Sequence, residues 1–196
     1  MPAPSHLCKR AYTRPMTAPA DQRFPIGPLQ PLPDAERRPE TLGAFADAMT
    51  GAVEAWRALL AGRPPADLAR TYRPGAWTVQ QLAHHVADAH LHGLNRLRHG
   101  LTEDEFQIQP FGQTEWLLLP DADLPVSDAL DLLGAVNRRW VALLRGVAPE
   151  RFAREVVHPA EGRQDLWQLA HKHDWHLRHH LAHARLALGE SGLQAG

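Results

Sequence analysis

Apolar side chains recur every three or four residues in four separate stretches of the chain, a spacing that predicts four amphipathic helices. In the first, residues 41–62, Phe45, Met49, Val53, Trp56 and Leu60 mark one face, with Thr41 placed to cap the start and Gly62 the end. The second, residues 78–100, opens on Thr78 and Gln81 at capping-box spacing. Its inner stripe is Leu82, Val86, Ala89, Gly93 and Leu97, and Gly100 is its expected stop. A third follows a cap at Ser127 and turns Leu130, Leu133, Val136 or Asn137, Trp140 and Leu144 to one side. The fourth, residues 165–189, aligns Leu166, Leu169, His173, Leu177, His180, Ala184 and Leu188, with Gly189 to end it.

Between these stretches the pattern fades. Pro25, Pro28, Pro31, Pro33 and Pro39 exclude a long helix from the first 38 residues. Residues 101–125 form a long connection with few periodic features, and "REVVHP" (154–159) is the only short strand candidate. The expected fold is all-α: a four-helix bundle with a long crossover connection and an irregular Pro-rich N-terminus. Residues 1–23 read as a disordered extension, 24–190 as the bundle domain and 191–196 as a tail, with Met16 an alternative start.

Composition narrows the function classes. A formal net charge of -1 over 196 residues gives no electrostatic footprint for nucleic acid. No apolar run approaches the roughly 20 residues needed to span a bilayer, and the Pro-rich start lacks a secretory h-region. The single cysteine, Cys8, cannot form an internal disulfide, so a cytoplasmic protein is expected.

Histidine changes the picture. Of 13 histidines, 11 fall in two windows, His84–His99 and His171–His183. On the fourth helix His173 and His180 lie on the apolar stripe and His176 at its edge, whereas His183 sits further round and His171 and His179 point outward. His176 and His180, four apart, stand one above the other, a spacing that lets two imidazoles bind one ion. On the second helix His85 adjoins the stripe, His84 and His90 are rotated away, and Asp88 and His92 share His85's general face. Three inward imidazoles from two helices would leave a fourth position open, as in catalytic zinc sites. A buried hydrogen-bonded histidine, a solvated polar face or a non-specific metal tract would also account for single members of the set, and His173 competes for a ligand role.

The strings "FPIGPLQP" (24–31), "GAWTVQQLAHHVADAHLHGLNRLRHGLTED" (75–104), "WVALLRG" (140–146) and "WHLRHHLAHA" (175–184) together resemble the DinB-like superfamily. More narrowly they resemble its YfiT branch of metal-dependent hydrolases and bacillithiol transferases, over about residues 24–188. The resemblance implies a four-helix bundle, usually dimeric, holding one divalent ion per subunit, zinc or nickel, on three histidines. His85 matches the histidine before "VAD", and His176 and His180 match the H-x-x-x-H pair.

Such a cation can deprotonate a bound thiol or lower the pKa of bound water. The resemblance therefore implies S-transfer from a bacillithiol-type thiol to a small electrophile, or hydrolysis of a small amide or ester through metal-bound hydroxide. Asp88, one turn from His85, is the candidate base or the group that orients a ligand imidazole. Glu103 and Asp104 are loop acids, and Arg178 is expected to face outward or make a salt bridge. A non-catalytic metal buffer is the alternative of another class. The expected partners are a small thiol and an electrophile, in a homodimer, without nucleic acid or membrane.

Overall fold

The computed structural model describes residues 21–190. The helices are α1 (Pro39–Leu60), α2 (Pro65–Leu68), α3 (Val79–Thr102), α4 (Gln113–Trp116), α5 (Val126–Gly146) and α6 (Leu166–Leu188). The strands are β1 (Phe106–Gln107), β2 (Glu155–His158) and β3 (Gly162–Asp165). Four long helices form the bundle: α1 and α3 each pack against both α5 and α6. Trp56, Trp140, Met49, Leu82, Leu97, Leu133 and Leu177 fill its centre with almost no exposed surface. The two indoles are satisfied inside, Trp56 donating to the Leu177 carbonyl (3.2 Å) and Trp140 to the His90 carbonyl (3.0 Å).

The ends of the helices differ in part from the sequence reading. Thr78 and Gln81 make the capping box on α3, and Gly189 ends α6 in the left-handed conformation at φ 75°. Thr41 and Ser127 do not cap: α1 and α5 start earlier, at Pro39 and Val126, where a Pro just inside or just before the first turn sets the backbone. Gly100 is not a stop either, since α3 runs on to Thr102. A Cβ at Gly100 would lie 2.5 Å from Leu166 Cδ2 and 2.8 Å from Val156 Cγ1, so the glycine serves close approach of α6 and β2.

The strand candidate is β2, and it has company. It pairs antiparallel with β3 (Val156 opposite Gln164) and parallel with β1 (Phe106 opposite Val156). Strands of two and four residues are too short to show alternation, which is why β1 and β3 were invisible in the pattern. The crossover therefore carries β1, α4 and a 3-10 turn at Pro120–Asp123.

Ahead of α1, residues 22–32 run antiparallel along the outer side of α6. The Gln22, Gly27 and Gln30 carbonyls accept from His183 Nε2 (3.0 Å), Trp175 Nε1 (3.3 Å) and His171 Nε2 (2.9 Å). Leu32 exchanges two 3.0 Å bonds with the Gln168 side chain. From Gln168 to His183 is roughly 22 Å of helix, a span ten extended residues cover with slack. This strap includes Gln22 and Arg23, which the sequence placed in the extension; Cys8, Met16 and the 191–196 tail lie outside the described residues. No described helix is long and apolar enough to cross a membrane.

Candidate metal centre

Two helices and one tight loop build the site. α3 contributes His85, about one turn beyond Gln81 of the capping box, and α6 contributes His176 and His180. The loop between α2 and α3 closes on a Thr71–Thr78 bridge with Gly75 at φ 71°, a conformation that favours glycine. It lays Trp77 over His85, ring centroids 4.6 Å apart, and Tyr72 over His183 at 4.0 Å.

The structure brings His85, His176 and His180 together. One ring nitrogen from each lies within 4.8 Å of the other two, and His85 Nε2 is 3.2 Å from His176 Nε2. Tetrahedral ligands at ordinary zinc–imidazole distances stand about 3.3 Å apart, so that pair already has chelating geometry. The rings meet edge to face, His85 with His176 at 60°, His85 with His180 at 80° and His176 with His180 at 73°. His85 is buried, while His176 and His180 keep part of their surface open. The trio fits a borderline cation by donor type and spacing.

Electrostatics favour neutral rings with lone pairs available. Burial pulls the His85 pKa down to about 4 and those of His176 and His180 well below the usual imidazole value, with the neighbouring histidines adding to the effect on the latter two. His85 Nδ1 is buried without a hydrogen-bond partner among the described residues. Burying an unsatisfied ring nitrogen costs on the order of 1–3 kcal/mol.

Asp88 sits apart from the trio. It is half-buried, with its pKa raised by desolvation, and lines a hollow with His84, Trp116, Leu119 and Asp121. It makes no hydrogen bond to His85 among the described residues. His92 stacks beneath Phe111 of the crossover at 4.4 Å. Glu103 pairs with His99 and Asp104 with Arg154, both on the exposed loop. Arg178 makes the expected salt bridge, to the buried Asp174.

Several histidines correct the single-stripe reading. His90 is buried, not turned away: its Nε2 lies 3.2 Å from Asn137 Oδ1, because α3 is covered by α5 on one side and α6 on another. His179 and His183 are buried too, since the strap covers the face they share. His179 stacks on Trp175 at 4.1 Å and stands edge-on to His183. His173 is a core residue packed against Gly93 and Trp140, outside the trio. The hydrogen-bond capacity of "PIGPLQP" against a His-rich helix was the one available sign of this layer.

Four long helices enclosing inward imidazoles from two of them define a bundle of metal-binding type. The chain belongs to the DinB superfamily, whose family model matches residues 48–184. It is 37% identical over 162 residues to a Bacillus pumilus protein named "Putative metal-dependent hydrolase", covering 82% of this chain and 91% of that one. A Halalkalibacterium halodurans protein of the same description, BH0277, is 32% identical over 168 residues, 86% and 97% of the two chains. Among solved structures it is similar to YfiT from Bacillus subtilis, described as "a probable metal-dependent hydrolase with an unusual four-helix bundle topology". That match has a TM-score of 0.76 and 29% identity, over 83% of this chain and 93% of that one. The four-helix bundle protein TT2238 is more distant, with a TM-score of 0.51 and 25% identity, over 72% and 95%.

Proposed function

We propose that this protein is a metal-dependent enzyme in which His85, His176 and His180 hold one divalent cation, Zn2+ or Ni2+, and a small bacillithiol-type thiol is activated there for transfer to an electrophile. The observation that carries this reading is the convergence of three neutral imidazole nitrogens within 4.8 Å. A cation held by neutral ligands keeps its full charge, acts as a Lewis acid and stabilises a thiolate. The chain's own residues do the rest. α3 and α6 hold the three rings, burial keeps them unprotonated at neutral pH, and Trp77 shields His85 from water on one side. His176 and His180 are less fully buried than His85.

Among the described residues no carboxylate shares the trio, and thiolate chemistry requires no protein base. That favours transfer. The names of the relatives favour a second reading, hydrolysis of a small amide or ester, in which Asp88 would serve as base or orient a ligand imidazole. A cytoplasmic homodimer belongs to either reading.

The test is metal analysis of the purified protein, followed by assays of the zinc- and nickel-loaded forms with a panel of thiols plus a chromogenic electrophile, and with amide and ester substrates. Turnover with thiols that disappears on chelation and in His85→Ala supports transfer. Turnover only with amides or esters selects hydrolysis. Several ions per chain and no turnover would leave a metal buffer.

A further inference from the structure

We propose that His183 is a positioning residue for the metal centre: together with the Gln22 carbonyl it holds His180 in the tautomer whose Nε2 carries the free lone pair. This rests on reading the trio as a metal site. His183 Nε2 lies 3.0 Å from the Gln22 carbonyl, and His183 Nδ1 lies 3.3 Å from His180 Nδ1. A carbonyl oxygen only accepts, so the proton of neutral His183 sits on Nε2. Its Nδ1 is then an acceptor, and the facing Nδ1 of His180 must be the donor. A neutral imidazole has one proton to place, which leaves His180 Nε2 bare and ready to ligate.

The relay is built, not incidental. His183 is buried, lies flat on Tyr72 at 4.0 Å with 16° between planes, and stands edge-on to His179 at 4.3 Å. Stacking fixes the ring plane, and the strap fixes which edge is protonated. His180 is also the only member of the trio whose second ring nitrogen is hydrogen-bonded among the described residues. The strap's backbone therefore reaches the metal centre through two imidazoles, and the segment ahead of α1 is part of the site.

The experiment compares zinc affinity, by competition with a chromophoric chelator, in the wild type, His183→Phe, His183→Asn and His85→Ala. Phenylalanine keeps the stack on Tyr72 and removes the acceptor; asparagine restores an acceptor near the Nδ1 position. We expect His183→Phe to bind zinc ~10–100-fold more weakly, the usual effect of losing a group that orients a ligand, and His183→Asn to recover most of the loss. Unchanged affinity in His183→Phe, with binding lost in His85→Ala, would overturn the relay alone. Retained one-to-one binding in His85→Ala would instead overturn the trio on which it rests. Long-range 1H–15N correlation spectra of the metal-free wild type give a readout that needs no variant. An Nδ1-protonated His180 is expected, and an Nε2-protonated one would refute the relay.

Discussion

Gly93 is the position where one added carbon has the most legible consequence. A Cβ placed there would fall 2.2 Å from His173 Cε1, 2.3 Å from Nε2 and 2.6 Å from Nδ1, inside the imidazole itself. The ring has little room to retreat, because His173 is buried against Trp140 (5.2 Å) and His90 (6.2 Å). Overpacking of this kind costs ~1–3 kcal/mol or more, while Gly→Ala in a helix interior returns about 1 kcal/mol. With an overlap this deep the cost lies at the upper end of that range, so Gly93→Ala should lose about 2 kcal/mol net, a drop of about 4–8 °C in Tm for a domain of this size. The assay is a double-mutant cycle in urea, with Gly93→Ala, His173→Ala and the pair. With the ring gone the same alanine fills space, so in the His173→Ala background it should be neutral or stabilising by up to about 1 kcal/mol. Additive effects, or a Gly93→Ala protein as stable as the wild type, would refute the steric account.

Acid should destabilise the protein through its buried histidines. His90 has its pKa lowered by burial to about 4, so the unfolded chain binds the proton more tightly; stability is complete above pH 6.5 and falls as pH drops toward 4. At pH 5 that one group removes about 2 kcal/mol, seen as a lower urea midpoint that His90→Gln makes less pH-dependent. Asp165→Ala removes both the cap on the Gln168 N–H (2.9 Å) and the ion pair with Arg37 (2.7 Å), and should cost ~1–2 kcal/mol by thermal unfolding. Zinc at one hundred times its Kd should add about 2.7 kcal/mol of stability, and His85→Ala should abolish that increment in calorimetry.

The bundle was readable because its four helices obey the 3.6-residue period strongly enough to survive without context. The trio was readable for the same reason: His85, His176 and His180 stand next to apolar stripes that had to point inward. What escaped lay where one stripe per helix is too simple a rule. α3 has two covered sides, so His90 is as buried as His85. α6 has a third, covered by a strap held through side chain to backbone hydrogen bonds, and such bonds leave no periodic trace in either partner. Hence the periodicity points His179 outward and sets His183 off the stripe, although both are buried. The small sheet escaped because two- to four-residue strands carry no alternation to detect.

The strap and the trio also set an order of assembly. Their contacts join positions some 90 to 160 residues apart, so they are costly in loop closure. While synthesis has reached only α5, His85 is alone and the strap has no surface to lie on. Emergence of α6 supplies the other two imidazoles and the strap's docking face in one event, so a nascent chain assembles the proposed site only at the moment the bundle closes.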